Sequence, residues 1–259
     1  MVLGCAPHLD MVVLLDNMVT LQATPTITRL SLPNGRHYHV EGYEELFPSV
    51  TNVLGVIAKP ALVAWARDTA LDAVREALTD RIGMMVAVTP DWVSSLIEEA
   101  QARPDQVRDG AADFGTQAHV LIDEILSGEE PEIPPEMSTV VASFEGWRRH
   151  AGLDIHLTET LVYSAKYRYA GAMDALASRG DTLVALDWKT GNRIYREFDL
   201  QVAAYAKALE EMSGQRVAEA WIVRLGKRGP EFEARTVKDL DRAFDAFRAA
   251  LFLWRAVQS

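Results

Sequence analysis

The feature that most constrains this fold is a run of apolar residues that should form a buried strand yet ends in charges. Residues 182–188 are apolar and partly β-branched, and turn-forming residues bound them on both sides, which predicts a buried strand. Side chains alternate between the two faces of a strand, so Asp187 and Lys189 share one face and Trp188 points to the other. Burying ions is costly unless they are paired or bind a metal, so this strand end carries either a salt bridge or a site.

A second charged strand is predicted just upstream. Residues 167–177 also form an apolar run with one acid, Asp174, and the turn at 178–181 joins the two runs into a hairpin. Across such a hairpin Asp174 can approach Asp187. Two close carboxylates repel each other unless a proton or a cation lies between them. A divalent ion with oxygen ligands, Mg²⁺ or Mn²⁺, is the natural occupant, and we expect one or two such ions here.

These charges resemble the core motif of the PD-(D/E)XK nuclease superfamily, and within it the RecB-like exonuclease branch. Asp174 and Asp187-x-Lys189 match that motif, with Met173 where the family name has proline. The resemblance covers roughly residues 45–225. It implies a restriction-endonuclease-like fold of the α/β class, with an αβββαβ core, a mixed central sheet and a helical N-terminal part. It also implies DNA as the substrate and a phosphodiester as the bond that is cleaved.

Three shorter elements extend the resemblance. Gly115 and His119 are similar to the Gly-x-x-x-His element of this branch, whose histidine joins the metal site. Gln201 and Tyr205, on the helix predicted after the charged strand, are similar to its Gln-x-x-x-Tyr element. Residues 48–51 are similar to a segment near the start of many phage and mitochondrial relatives. All of these elements occur in the order that the family shows.

The resemblance assigns roles to the charged residues. Asp174, Asp187 and Lys189 would be catalytic. The metal ligands would be His119, Asp174, Asp187 and the backbone carbonyl of Trp188. The lysine would orient or deprotonate the attacking water, or neutralise the scissile phosphate, and the sequence leaves these roles open.

Other polar residues near these elements are candidates for binding DNA or for assisting the site. They are Gln201, Tyr205, Thr190, Arg193, Ser49, Thr51, Gly115 and Thr116. Two acids are auxiliary candidates. Glu159 resembles an acid that often precedes the core in relatives. Asp123 lies one helical turn after His119, where it can accept a hydrogen bond from the imidazole or simply face solvent.

Composition limits the remaining possibilities. A chain of 259 residues with 49% hydrophobic residues can bury a full core, and we expect one compact catalytic domain. It divides into a leader at 1–22, either disordered or upstream of the true start, a hairpin and helical region at 23–153, and the nuclease core with a closing helix at 154–259. The single cysteine, Cys5, leaves no intramolecular disulfide and no four-cysteine iron–sulfur cluster.

No apolar run has the length of a membrane span, so we expect a cytoplasmic protein of a bacterial or phage-infected cell.

The net charge of −11 is unusual for a protein that binds DNA, because phosphates attract lysine and arginine. The excess negative charge lies in one segment, because residues 91–145 hold thirteen acids and two arginines. The rest of the chain has equal numbers of acidic and basic residues. This acidic segment is a candidate docking site for a protein partner. We expect the DNA backbone, of a single strand or a duplex end, along the basic residues that follow the charged strand and the next one: Arg193, Arg196, Arg224, Lys227 and Arg228.

Turn residues and periodicity predict the order of elements. An N-terminal hairpin at 26–40 precedes helices at 60–79, 90–102, 105–127 and 136–151. The break between the middle two helices is assigned to Pro104. Strands follow at 155–163, 167–177 and 182–189, then a helix at 197–211, strands near 218–225 and 232–236, and a helix at 238–257.

The sequence therefore predicts a metal-dependent DNA exonuclease that cleaves phosphodiesters at or near DNA ends, in recombination, repair or phage DNA processing. One alternative is an endonuclease specific for a DNA structure or sequence. An alternative of another class is a non-catalytic DNA-binding or assembly module that keeps the fold. The complete set of two aspartates, a lysine and a histidine favours the enzyme.

Overall fold

The computed structural model describes residues 25–85 and 87–258. In chain order the strands of this part are β1 (Ile27–Leu32), β2 (Gly35–Val40), β3 (Phe47–Pro48), β4 (Asp154–Ser164), β5 (Tyr169–Arg179), β6 (Thr182–Lys189), β7 (Val217–Leu225) and β8 (Phe232–Thr236). Its α-helices are α1 (Val50–Val53), α2 (Pro60–Thr79), α3 (Pro90–Leu126), α4 (Ser138–Ala151), α5 (Glu197–Ser213) and α6 (Leu240–Gln258). The predicted leader at 1–22 lies outside the described residues.

The chain divides into two compact units. The smaller unit comprises Ile57–Ala118, and the larger unit comprises the residues up to Val56 together with His119–Ser259. The boundary expected between residues 153 and 154 falls inside the larger unit. The charged hairpin and the histidine at position 119 therefore belong to one unit.

A five-stranded mixed sheet forms the centre of the larger unit, in the order β4-β5-β6-β7-β8. The strands β6 and β7 are parallel, and the other neighbours are antiparallel. A parallel pair needs a crossover connection, and α5 supplies it between β6 and β7. Because α4 precedes β4, the chain order is the expected αβββαβ core. The predicted α/β fold with a mixed central sheet is confirmed.

The two faces of β6 are covered differently. On one face Trp188 packs against Phe144 and Trp147 of α4, with ring centroids 5.6 and 4.8 Å away. The opposite face carries Asp187 and lies against α5. Half of the buried residues of α5 are alanine, and these small residues let the helix approach the sheet closely. The alternation predicted for this strand is confirmed, and it separates an aromatic core from a charged site.

A second, antiparallel sheet of the larger unit has the strand order β1-β2-β3. The predicted N-terminal hairpin is confirmed, with Leu32 paired to Gly35 across its turn. The third strand has two residues, too few to show an alternating pattern, and was not predicted. Ser49 follows it and caps α1, since its hydroxyl accepts a hydrogen bond from the N–H of Asn52 at 3.0 Å.

The smaller unit holds α2 and the first part of α3, and many of its apolar side chains are exposed. No residue of α2 is buried. The large exposed apolar residues of this unit are Leu62, Val63, Trp65, Leu71, Leu78, Ile82, Met84, Met85, Val88, Val93, Ile97 and Val107. Within the residues that the structure describes, no helix combines the length and the apolar character needed to cross a membrane.

The helix break predicted at Pro104 is wrong, because α3 continues through that position. Proline has no N–H for the carbonyl four residues earlier, and in a helix interior it costs about 3 kcal/mol. In a helix of 37 residues the hydrogen bonds on both sides of Pro104 remain, and they outnumber the lost one.

Candidate active site

The candidate site lies at the open end of the β5–β6 hairpin, away from its turn. The paired residues of the two strands end with Ala175 and Leu186, and the next step of the same register sets Asp174 opposite Asp187. Here the N–H of Trp188 donates to Oδ2 of Asp174 at 2.6 Å. A carboxylate of β5 therefore accepts the hydrogen bond that a strand carbonyl would take, and the ladder ends where the charges lie.

Asp187 is fully buried, and among the described residues its Oδ2 has an ion partner but no hydrogen-bond donor. Oδ2 forms an ion pair with Nζ of Lys189 at 2.6 Å. Oδ1 accepts a hydrogen bond from Nε2 of Gln201 at 3.1 Å, and the same nitrogen donates to the hydroxyl of Tyr205 at 3.1 Å. Gln201 and Tyr205 lie one turn apart on α5, and both are buried. Their polar atoms hold the Asp187 carboxylate in place.

His119 of α3 lies beside this pair of aspartates. Its Nδ1 is 3.5 Å from Oδ1 of Asp174 and 3.7 Å from Oε1 of Glu159. Ligand atoms of the three side chains all lie within 4.8 Å of one another. Imidazole nitrogen and carboxylate oxygen are ligands that Mn²⁺ accepts, and carboxylates are the side-chain ligands of Mg²⁺. The donors present therefore fit the divalent ion that the sequence predicts.

Glu159 has an unusual backbone conformation. Its φ of 45° lies in the left-handed region, which costs a residue with a Cβ about 1–2 kcal/mol. Its neighbours in β4 pair with Ala175 and Met173, so Glu159 stands opposite Asp174. Strained backbone of this kind concentrates at functional sites. At this position it brings a third carboxylate to the cluster around the histidine.

The pKa values of the cluster show how its charges depend on one another. Burial would lower the pKa of His119, but the carboxylates of Asp174 and Glu159 raise it to about 10. Burial raises the pKa of Asp187 to about 6 against the opposing effect of Lys189. Burial would raise the pKa of Asp174, but His119 and Lys189 lower it. The imidazolium and the ammonium are thus the cations that offset the clustered carboxylates.

Gly171 of β5 makes room for the ring of Tyr205. A Cβ at position 171 would lie 2.4 Å from Cε1 of that ring, closer than real Cβ contacts come. A larger residue there would displace the hydroxyl that contacts Gln201, and Gln201 in turn holds Asp187. This glycine was not predicted as part of the site, because the sequence does not show that a ring from α5 packs on β5.

Two aromatic residues beside Lys189 were not predicted either. Nζ of Lys189 lies 5.0 Å from the centre of the Phe198 ring. The rings of Phe198 and Tyr195 are perpendicular, with centroids 5.6 Å apart, and the guanidinium of Arg193 lies 4.8 Å from the centre of the Tyr195 ring. The available signal was their position shortly after the charged strand, with Tyr195 just before α5 and Phe198 in its first turn.

Other predicted residues lie on the same unit without contacting the aspartates. Ser49 and Thr51 contact each other through their hydroxyls at 3.1 Å, and Ser49 also forms an isolated bridge with Ala170 of β5. Thr190 follows β6 directly and is buried. These positions put the first two residues next to β5 and Thr190 next to Lys189.

The helix that carries His119 holds three further predicted residues. Asp123, expected to accept a hydrogen bond from the imidazole or to face solvent, accepts one from the hydroxyl of Thr158 instead. Gly115 and Thr116 belong to the smaller unit. The hydroxyl of Thr116 donates at 3.1 Å to a carbonyl one turn earlier in its own helix.

Residues 137–258, just under half of the chain, match the family model described as the PD-(D/E)XK nuclease superfamily. This part of the chain is similar to that superfamily. The PD-(D/E)XK segment carries Asp174, Asp187 and Lys189, whereas His119 lies before its start. The resemblance drawn from the core motif is thereby confirmed for the superfamily.

Two solved structures resemble this chain at low scores. An alkaline exonuclease (LHK-Exo) from Laribacter hongkongensis is 13% identical, with a TM-score of 0.31, and the match covers 54% of this chain and 77% of that one. The structure of SSO0001 is 11% identical, with a TM-score of 0.33, and the match covers 72% of this chain and 85% of that one. Similarity at these TM-scores does not indicate a shared activity. No curated protein matches the chain.

Proposed function

We propose that this PD-(D/E)XK protein is a metal-dependent DNA exonuclease of the RecB-like branch, which hydrolyses phosphodiesters at or near DNA ends in recombination, repair or phage DNA processing. The observation that carries the proposal is the meeting of Asp174, Asp187, Lys189 and His119 at one strand end. Phosphodiester hydrolysis needs an activated water and stabilisation of the charge that develops on the phosphate. These side chains offer metal ligands, acceptors and a cation for those tasks.

One or two divalent ions, Mg²⁺ or Mn²⁺, would be held by the donors already described. His119, Asp174, Asp187 and the carbonyl of Trp188 form the expected set, and we add Glu159 because its carboxylate lies within 4.8 Å of the first two. When bound, such an ion supplies Lewis-acid stabilisation of the negative charge on the phosphate. Histidine binds a metal as the neutral imidazole, so His119 has to lose the proton that the neighbouring carboxylates favour.

Lys189 acts as a cation in this proposal. Burial would lower its pKa, but the carboxylates of Asp187 and Asp174 raise it. A raised pKa favours the ammonium form over the free amine that a general base requires. Until a bound ion offsets those carboxylates, neutralising the scissile phosphate and orienting the attacking water are therefore supported over deprotonating that water.

Charge-neutral replacement of the aspartates tests the proposal. Asp187→Asn and, separately, Asp174→Asn keep the size of the side chain and an acceptor oxygen but remove a metal-binding charge. We expect Mg²⁺-dependent release of nucleotides from linear DNA to fall by on the order of 10²–10³-fold or more. Glu219→Gln, in the β7 residue that pairs with Arg179 at the turn end of the hairpin, is the matched control and should keep full activity. Full activity in either asparagine variant would contradict the proposal.

The alternatives give different results with different DNA. An exonuclease leaves covalently closed circles whole, whereas an endonuclease cuts them. Linear DNA labelled at one end and then at the other reports the polarity of digestion. Wild-type protein that releases no nucleotides and shows no Mn²⁺ binding by calorimetry would instead be a non-catalytic DNA-binding or assembly module.

A further inference from the structure

We propose that Tyr195 and Phe198 form a stacking platform for an unpaired nucleobase next to the phosphate that is cleaved. We call these two residues the aromatic platform. The inference rests on the proposed DNA hydrolysis and narrows its substrate to DNA with unpaired nucleotides at the site, as in a single strand or an overhang.

The aromatic platform adjoins the charged cluster through Lys189. Nζ of this lysine lies 2.6 Å from Oδ2 of Asp187 and 5.0 Å from the centre of the Phe198 ring. A nucleotide whose phosphate meets the ammonium therefore has an aromatic ring as its neighbour. The base of that nucleotide can then stack on the ring.

The two rings remain partly accessible. Their planes are perpendicular, their centroids are 5.6 Å apart, and both side chains are only half-buried. Aromatic contacts that serve the core of the same unit are covered, as are those of Phe144 with Trp147 and of Tyr169 with Phe247. A pair that only filled the core would be expected to be covered in the same way.

Arg193 occupies one face of the aromatic platform and is itself exposed. Its guanidinium carbon lies 4.8 Å from the centre of the Tyr195 ring. A cation–π contact at an exposed site is weak, so a nucleobase can displace it. The displaced guanidinium is then available to a backbone phosphate, which it can bind with two parallel hydrogen bonds.

The backbone under the aromatic platform is held in place by β8. Nη2 of Arg235 donates to the carbonyl of Tyr195 at 3.2 Å. The same nitrogen also pairs with the carboxylate of Asp199 in α5. A surface that is ordered before its ligand arrives loses little entropy on binding, so these contacts favour a binding role.

Stacking also fits the charge of the protein. Every base has a π face, so aromatic rings bind unpaired bases with little regard to sequence. A base inside a duplex is already stacked and paired, and only an unpaired base can use such a surface. Outside the acidic segment the chain has no net positive charge, so phosphate contacts alone give little attraction, and stacking contributes affinity that does not depend on charge.

The test removes the aromatic ring from the protein and, separately, the bases from the DNA, and measures the binding affinity in each case. Tyr195→Leu removes the ring but keeps apolar bulk, and Tyr195→Phe keeps the ring. In buffer without Mg²⁺, we expect the leucine variant to bind a single-stranded oligonucleotide about tenfold more weakly than wild type, and the phenylalanine variant to match wild type. On an abasic oligonucleotide of the same length, wild type and Tyr195→Leu should bind equally. Phe198→Leu repeats the comparison at the second ring.

Two outcomes overturn the proposal. Equal affinity of wild type and Tyr195→Leu for the normal oligonucleotide shows that no base stacks on the ring. A loss that is as large on the abasic oligonucleotide shows that Tyr195 only supports its loop. A parallel hydrolysis assay with Mg²⁺ keeps the two proposals apart, because an inactive wild type whose binding still depends on Tyr195 overturns the exonuclease and supports the aromatic platform.

Trp221→Leu is the matched control. Trp221 is also half-buried with a cation on its ring, since the guanidinium of Arg179 lies 5.3 Å from the ring centre. It pairs in register with Leu186, so it points to the face of the sheet opposite Asp187. Its replacement should leave the affinity for both oligonucleotides unchanged. A tenfold loss in this variant would overturn the assignment of the effect to the aromatic platform.

Discussion

An ion pair lies at each end of the β5–β6 hairpin, one between Arg179 of β5 and Glu219 of β7 and the other between two residues of β6, and the two pairs differ in their access to water. At the turn, Nη2 of Arg179 lies 2.5 Å from Oε2 of Glu219, and the two side chains are 49% and 28% exposed. At the open end, Nζ of Lys189 lies 2.6 Å from Oδ2 of Asp187, and the side chains are 18% and 0% exposed. The distances are alike and the surroundings are not.

The exposure of each ion pair to water determines how much it contributes to the free energy of unfolding. An exposed pair is worth about 0–1 kcal/mol, whereas removing an ion from water costs several kcal/mol even after the protein relaxes. The effect of burial is visible in the pKa of Asp187, which it raises to about 6 although Lys189 lies beside it. The open end is therefore a costly arrangement for stability alone. A cluster of this kind fits the proposed catalytic role.

Lys189→Met should have the largest effect, because it leaves the buried Asp187 carboxylate without its ion partner. Breaking a buried pair from one side costs about 3–5 kcal/mol. We expect the lower value, since Asp187 keeps the hydrogen bond from Gln201 and its pKa, about 6 beside Lys189, rises further without that cation, so the carboxylate takes up a proton. Urea denaturation measures the loss. A change below about 1 kcal/mol would mean that the open end behaves like an exposed pair.

Gly171→Ala should have the next largest effect. The new Cβ would lie 2.4 Å from the ring of Tyr205, and overpacking of this kind costs about 1–3 kcal/mol. Thermal unfolding should show a lower midpoint. Gly146→Ala in α4 is the control, because its Cβ would meet nothing closer than 3.8 Å and alanine favours a helix. An unchanged midpoint for Gly171→Ala would show that the ring of Tyr205 can move.

Gln201→Leu should slow hydrolysis about tenfold, the effect expected when a residue that orients a metal ligand is lost. Because Gln201 contacts Asp187 rather than solvent, kcat should fall while KM for DNA stays the same. The opposite result, a higher KM at constant kcat, would restore the DNA-binding role that the sequence suggested. Gln215→Leu, in the loop before β7, is the control and should change neither constant.

Features set by residues close together in the sequence could be predicted, and contacts between distant residues could not. The bounds of β6 were predicted correctly because a local apolar run sets them. The opposition of Asp174 and Asp187 followed from the hairpin between them. The contacts of Gln201 with Asp187 and of Tyr205 with Gly171 depend on how α5 lies on the sheet, and no local pattern contains that information.

Backbone exceptions could not be predicted for a related reason. Glutamate seldom adopts the positive φ seen at Glu159, and proline usually ends a helix, yet α3 continues through Pro104. In both places the surrounding structure overrides the local preference. The first exception lies at the candidate metal site, where strain of this kind is expected, and the second lies in the smaller unit.

Arg179→Met should have the smallest effect, below about 1 kcal/mol, because water solvates the carboxylate that remains. Glu219 also keeps a partner, since the indole N–H of Trp221 donates to it at 2.8 Å. Hydrolysis should be unchanged. The substitution is of the same kind as Lys189→Met, a cation of one hairpin replaced by methionine, so the difference between their unfolding free energies isolates the effect of burial. If the two variants lose equal stability, burial is not what distinguishes the two ends, and the open-end cluster needs another explanation.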